Sequence, residues 1–319
     1  MTVPLQSPLL RVRAVIVNYN GPDLTRRCVE SLLTQDCIDQ MEIVVIDNHS
    51  CKENWTLLQQ ELAGYPVLLH RCSKNLGYAG GINAGAKLQT ERDPEYVLVL
   101  NSDITLPGTD SVRQLIQALR ESPRRVACSP LIRDHDCLQP PEATIQVRRV
   151  PDFRTLLVSH SCWLRRTGFG NRLQSAYIYE DALPYPLGTT LDCETINGAC
   201  FMVNMRFLEE IGYLDDRTFL YMEELILGAI IRARNATACL CTAVIVDHIQ
   251  GASTGMRNLR RPLRRELQQV HSEIVYLRHY AGTSWLGLGL LLLVRSTDLL
   301  LKTLRSLVWQ ARLIAMVHQ

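Results

Sequence analysis

Short apolar runs that stop abruptly in polar residues recur through the first third of the chain. Residues 12–17 form a β-branched run ending in Asn18-Tyr19-Asn20-Gly21-Pro22, which predicts a strand followed by a sharp loop. Leu24, Cys28, Val29, Leu32 and Leu33 share one face of a helix, with Asp23 or Thr25 as its cap. Residues 42–46 predict a second strand, again ending in an acid and turn formers, Asp47-Asn48-His49-Ser50. A helix over residues 55–62 and a third strand over 67–70 follow. Residues 73–81 read as a glycine-rich loop opening a small-residue helix at 82–88. The fourth strand, residues 96–100, suits burial on both faces and ends in Asn101-Ser102-Asp103, with the breakers Pro107-Gly108 beyond.

Strands and helices alternating this regularly predict an α/β fold with a parallel, doubly wound sheet. In such a sheet ligands sit outside the carboxyl ends of the strands. Asn18 and Asn20, Asp47 and Asn48, Asn75 and Gly77, and Asn101 and Asp103 all follow those ends. One such terminus is an ordinary turn; four in succession predict a site. Asp103, with Asn101 two residues before it, suits a hard divalent cation that in turn holds a diphosphate. Asp47 could accept hydrogen bonds from a uracil or thymine N–H or a ribose hydroxyl. The glycines near Gly80, Gly81 among them, let backbone N–H groups approach a ligand at a helix start. The loop has neither Gly-Lys-Ser/Thr nor a GxGxxG fingerprint, which excludes an ATPase and a dinucleotide oxidoreductase.

Residues 131–191 carry Arg, Pro and Tyr without a clean period, and read as an acceptor-side insertion or a long connection. Residues 196–203, including Asn197, Gly198 and Ala199, predict a loop entering a buried strand. A helix over 206–211 and a turn over 212–216 come next. An aromatic stretch from Phe219 then enters a helix at Glu223-Glu224, where acids complement the helix dipole. Residues 243–247 predict a strand running into a polar loop at His248, the histidine best placed as a further metal ligand. Asp247 either orients that imidazole or ends the strand. The remaining histidines read as surface or packing residues. From Glu266 onward Leu267, Val270, Ile274, Tyr276 and Leu277 recur at helical spacing. An apolar stripe from Trp285 to the region of Trp309, flanked by Arg295, Lys302, Arg305 and Arg312, suits an interfacial helix or a docking face for the catalytic part or a second subunit.

Composition narrows the class. Hydrophobic content of 47% with 21% charge is that of a folded soluble chain, and a net charge of +2 gives no argument for nucleic acid. The 11 cysteines lack CxxC pairs and read as small buried residues of a reducing compartment. No signal peptide is read at the start, and the run at 285–294 is shorter than the roughly 20 residues a membrane span takes. A cytoplasmic location follows as the expectation. Arg257, Arg260, Arg261, Arg264 and Arg265 could close over a diphosphate, face an acidic membrane or form a solvated helix face.

Four pieces together resemble the family 2 glycosyltransferases of GT-A fold, and most closely their rhamnosyltransferase-like members. They are Val15-Ile16-Val17-Asn18-Tyr19-Asn20, Ile46-Asp47-Asn48-His49-Ser50, the stretch from Asn75 through Gly77 and Gly81 to Gly85, and Leu98-Val99-Leu100-Asn101-Ser102-Asp103. The resemblance implies a Rossmann-like, mostly parallel sheet flanked by helices, with a catalytic part at 1–255 and a C-terminal helical extension at 256–319. Residues 1–130 would form the nucleotide half and 131–255 the acceptor half. It implies that the first two pieces hold the nucleotide, and that Asp103, in the place of the DxD motif, is the principal ligand of Mg²⁺ or Mn²⁺. The first position of that motif is Asn101 here. Glu224, beside Glu223, holds the place of the catalytic aspartate, and Ile226 stands where the family usually has a further acid. His248 matches a His-x-x-Gly-x-Ser element.

The implied activity is inverting, metal-dependent transfer of a sugar from a dTDP- or UDP-linked donor to a polysaccharide or lipid-linked acceptor in cell-envelope glycan synthesis. Peripheral contact with the inner face of the plasma membrane and a homodimer are further expectations. A general base would take the acceptor hydroxyl's proton while the metal stabilises the departing diphosphate. Two other readings stay open: a degenerate member that binds sugar nucleotide or scaffolds an enzyme, and a nucleotidyltransferase.

Overall fold

The computed structural model describes residues 11–249 and 261–317, with side chains described to residue 249 and from 264 to 303. The predicted alternation forms β1 Val12–Asn18, α1 Pro22–Leu33, β2 Met41–Asp47, α2 Lys52–Glu61, β3 Val67–Arg71, α3 Gly77–Ala86 and β4 Tyr96–Asn101. Pro22 opens α1 at its first turn, where a missing N–H costs nothing, so Gly21 and not Asp23 or Thr25 is the cap. Helix α3 begins at Gly77, inside the predicted loop. Its small side chains let it lie close on the sheet: a Cβ at Gly81 would meet Val17 at 2.9 Å, and one at Gly85 would meet Val15 at 2.5 Å.

Beyond β4 come β5 Ile104–Thr105, α4 Ser111–Arg120 and β6 Arg125–Asp134. Residues 131–191 are no long loop. After the end of β6 they fold into α5 Phe153–His160 and α6 Gly168–Tyr177 and enter β7 Thr190–Cys193. These helices are short, 8 and 10 residues, and frequent turns between them hide their period. Then follow β8 Cys200–Asn204, α7 Met205–Glu210, α8 Glu223–Ala233, β9 Thr237–His248, α9 Arg261–His279 and α10 Trp285–Val317.

All nine strands join one sheet in the order β3-β2-β1-β4-β8-β6-β9-β5, with β7 pairing β9. It is parallel from β3 to β4 and mixed beyond, since β8 runs antiparallel to both β4 and β6. Both faces are covered. Ala14 and Ile16 pack toward α1 and α4, while Val15 packs toward α3 and α8 with Leu227 and Ile231. A third core joins Leu156 and Leu157 of α5, Leu225 and Ile226 of α8, Tyr276 of α9 and Leu291 of α10. Ile226, the departure from the family's acid, is therefore a buried contact of the C-terminal helices. On α9 the apolar period is buried at its C-terminal end, at Tyr276 and Leu277 with Ile274 packed beside them, while Leu267 is exposed and Ser272, Glu273 and Val275 also turn inward.

Arg13 fastens the sheet to the end of α3. It lies buried in β1, pairs with Glu42 at 2.7 Å, and donates to Ala86 O (2.9 Å), Leu88 O (2.8 Å) and Thr90 Oγ1 (2.8 Å). Removing one member of such a set leaves uncompensated buried groups. We expect Arg13→Ala to cost about 3 kcal/mol. Urea unfolding should display this as a lower midpoint with an unchanged slope.

Candidate functional site

Register sets the site. Asn18 lies opposite Asp47 on β2, and Val17 opposite Asn101 on β4, so the polar ends of three strands stand side by side. Asn18 Nδ2 donates to Asp47 Oδ1 at 2.9 Å, and Asn18 Oδ1 accepts from Gly21 N–H (3.1 Å) and the Thr25 hydroxyl (3.0 Å). Asp47 also accepts from the Ser50 hydroxyl and, on Oδ2, from Ser50 N–H at 3.2 Å, with Arg71 Nε at 3.3 Å. Its acceptor sites are filled from within and the side chain is fully buried. Asn20, at φ 59°, accepts from Cys51 N–H at 2.9 Å and so ties the first loop to the start of α2.

Asn48 links this row to the glycine segment, donating to Gly77 O at 2.8 Å and accepting from Leu76 N–H at 2.9 Å. Asn75 Oδ1 accepts from Gly77 N–H at 2.9 Å. Gly77 sits at φ +76°, and a Cβ there would collide with the Phe219 carbonyl. The neighbouring Tyr78 N–H donates to that same carbonyl at 3.0 Å. The glycine motif is thus pressed against the segment that leads to Glu223-Glu224.

Asp103 is buried beside His248, with Oδ1 3.3 Å from Nε2. The pairing of Ile104 with His248 and the bond from Ile249 N–H to Asp103 O (3.1 Å) hold the two in place. Asp103 Oδ1 makes no hydrogen bond, an acceptor left open in a buried place. A carboxylate oxygen and an imidazole nitrogen fit Mg²⁺ or Mn²⁺ when diphosphate and water complete the shell. Among the described residues no cluster of three or more His, Cys, Asp or Glu side chains forms a ready cage. Asp247 does not orient the imidazole; neighbours in a strand point to opposite faces, and Asp247 faces Arg133 at 3.4 Å. Gly251, Ser253, Arg257 and Arg260 lie outside the described residues.

The acceptor-side loop closes over the same strand ends. Asn101 N–H donates to Ala199 O at 2.9 Å, and Asn197 Oδ1 accepts from Ala199 N–H at 3.1 Å. A Cβ at Gly198 would stand 3.7 Å from Glu224 Oε2, which puts that carboxylate at the loop. Glu223 and Glu224 open α8 directly after Tyr221 and Met222, both at φ 74°. Two such residues in a row store backbone strain, a feature concentrated at working sites. Glu223 is buried with Oε1 unpartnered. Burial, then the charge of Glu224, pushes its carboxyl up to about 8.

Tyr78 is the residue that motif reading passes over. Its hydroxyl donates to Gly198 O at 2.7 Å. Burial raises its pKa well above the ordinary value, followed by the nearby Glu223, Cys200, Asp103 and Glu224. One hydroxyl therefore feels the charge of both the predicted ligand and the predicted base. Tyr78 lies inside the quoted glycine motif, but nothing local signals a partner 120 positions away.

Residues 14–169 match the family model described as glycosyl transferase family 2. The chain is 28% identical over 246 residues to the low-salt glycan biosynthesis hexosyltransferase Agl10 of Haloferax volcanii, covering 77% of this chain and 69% of that protein. It is 28% identical over 257 residues to the N-acetylglucosaminyl-diphospho-decaprenol L-rhamnosyltransferase of Mycobacterium tuberculosis, covering 76% of each. Two solved structures share its fold at low identity. GalNAc-T7 with UDP, GalNAc and Mn²⁺ superposes with TM-score 0.55 at 18% identity, over 81% of this chain and 48% of that one. The mannosyltransferase PcManGT of Pyrobaculum calidifontis, with GDP-Man and Mn²⁺, gives 0.53 at 14%, over 98% and 85%. The architecture is the GT-A fold.

Two outcomes test this geometry. Between the ordinary carboxylate value and about 8, folded Glu223 keeps a proton that the unfolded chain releases, so its burial lowers stability as pH rises through that window. Glu223→Gln should remove this slope, making the variant more stable than the parent at pH 8 by on the order of 3 kcal/mol and equal to it below pH 4.5, as read by melts across pH. Gly77→Ala should lower Tm and loosen the Phe219 segment, seen as faster hydrogen exchange at Tyr78 N–H.

Proposed function

We propose that the chain, whose residues 14–169 match the glycosyl transferase family 2 model, is a member of that family that moves a hexose from a nucleoside-diphosphate donor to a glycan or lipid-linked acceptor with inversion. The donor we favour carries rhamnose on dTDP or UDP, because one relative is a rhamnosyltransferase acting on a diphospho-decaprenol sugar. The observation that carries the reading is the open Oδ1 of buried Asp103, 3.3 Å from His248, with the Tyr78 hydroxyl fastening Gly198 beside Glu224 of the acid pair that opens α8.

In this reading Asp103 and His248 hold Mg²⁺ or Mn²⁺. The bound ion supplies positive charge to the departing diphosphate oxygens. Asn18, Asn20, Asn75, Gly77 and Gly81 frame the nucleotide, and Asn101 borders its diphosphate end. Asp47, with its own acceptors filled, shapes that frame through Asn18 and Ser50. Asn197, Gly198 and Ala199 line the acceptor side beside Glu224.

Glu224 is the base. It takes the acceptor hydroxyl's proton as that oxygen bonds to the anomeric carbon and the bond to the diphosphate breaks on the opposite face. Burial, then the charge of Glu224, holds the neighbouring Glu223 in its neutral form. We place the reaction at the inner face of the plasma membrane, where a lipid-linked acceptor is at hand.

Binding and turnover test the assignment separately. Nucleoside diphosphates with Mn²⁺ should raise the Tm of the parent, and Asp103→Ala should abolish that rise. Glu224→Gln should keep the rise while kcat falls by about 10² to 10⁴. Unaltered turnover by Asp103→Ala at saturating metal would refute the metal site. Binding without turnover over a panel of acceptors would favour the degenerate reading.

A further inference from the structure

Between residues 285 and 300, helix α10 is apolar on its outer face as well as on its inner one, where Leu288, Leu291 and Val294 join the third core. Trp285, Leu286, Leu290, Leu292, Leu293 and Leu300 are exposed, Leu286 at 88% and Leu293 at 65%. The only charged residues in that span, Arg295 and Asp298, are buried at 6% and 1%. Arg295 lies 3.2 Å from Glu273 and 3.5 Å from Asp298, and donates to His160 O at 2.5 Å. Asp298 accepts from the Ser161 hydroxyl (3.1 Å) and Cys162 N–H (3.0 Å), and Glu273 meets His160 Nδ1 at 2.8 Å. A helix that faces water carries the opposite pattern. Contiguous exposed leucine of this extent marks a contact surface.

The charges around that face select its occupant. On the described side chains of α9 and α10, Arg264 and Arg278 are exposed, and Lys302, also exposed, pairs with Glu266. The three acids, Glu266, Glu273 and Asp298, are each engaged by Arg295. Arg278 stacks on the exposed ring of Trp285 at 4.6 Å, an amphipathic pair suited to a boundary between oil and water. The turn after Cys162, fastened to Asp298, adds exposed Trp163 and Phe169 near Arg165 and Arg166. A second copy docked on this face would set cations against cations. Residues 285–300 extend about 24 Å. No described helix is long and apolar enough to cross a membrane, so this one would lie in the plane.

We infer that the outer face of α10 rests in the surface of an anionic lipid layer, its leucines among the acyl chains and the flanking cations at the phosphates. The surface adjoins the site: on the inner side of α9, Ser272 donates to Leu220 O at 2.8 Å, just before the strained turn into Glu223. The inference stands on these contacts and does not need the transfer reaction.

Flotation of the full chain with vesicles tests it. The protein should float with phosphatidylcholine vesicles containing phosphatidylglycerol, poorly with phosphatidylcholine alone, and less in high salt. Leu286→Glu with Leu293→Glu should weaken binding roughly tenfold per leucine, with an unchanged melt because both side chains face outward. Leu286→Ser with Leu293→Ser serves if the glutamates melt early. Parent protein that ignores both vesicles, or a double variant that floats equally well, would overturn the inference. So would a dimer in sedimentation that the same pair splits while vesicle affinity is absent, since the face would then belong to a second copy.

Discussion

The change of strand direction across β4 is the constraint on which the site depends. β4 runs parallel to β1 and antiparallel to β8. Its carboxyl end, where Asn101 and Asp103 stand, therefore meets the start of β8 and the loop of Asn197, Gly198 and Ala199. Had β8 continued the parallel order, that loop would lie at the other end of the sheet. The small antiparallel pair of β5 and β9 completes the arrangement by returning His248 to Asp103 from 145 positions along the chain. A wholly parallel part of the fold and a mixed part meet along one strand, and the site residues named above come from both.

The parallel half was legible because β1, β2 and β4 are runs of buried residues cut off by polar ones, and that signal survives in a single sequence. The row of Asn18, Asp47, Asn101 and Asp103 was legible for the same reason. The C-terminal half hid its order. Helices α5 and α6 are too short and turn-bound to display a period, and the antiparallel entry of β8 is a matter of pairing that no local pattern encodes. Tyr78 went unread because its work is done across the fold, on Gly198. The polarity of α10 was misjudged through Arg295, which reads as a flanking cation in the sequence and is the centre of a buried ionic cluster. His160, read as a surface or packing residue, is part of that cluster. The cysteines behave as expected for the eight that are buried, while Cys51 and Cys137 are exposed.

The loss of an acid at Ile226 and the presence of α9 and α10 are two sides of one arrangement. Ile226 and Leu225 pack into the same core as Tyr276 and Leu291, so the helix that begins with the acid pair is lined by the C-terminal helices. A carboxylate at that position would be stranded in oil, without a partner.

That shared core bears on how the chain can be divided. Tyr276 reaches Pro151 O at 2.7 Å and Tyr280 reaches Asp215 Oδ2 at 2.6 Å, both deep in the acceptor half. A truncation at residue 255 would lay open Met222, Leu225 and Ile226 and unmoor the Leu220 carbonyl. The shortened polypeptide would lack one wall of its own interior. The boundary read from the sequence between residues 1–255 and a helical extension at 256–319 runs, in physical terms, through a shared hydrophobic core.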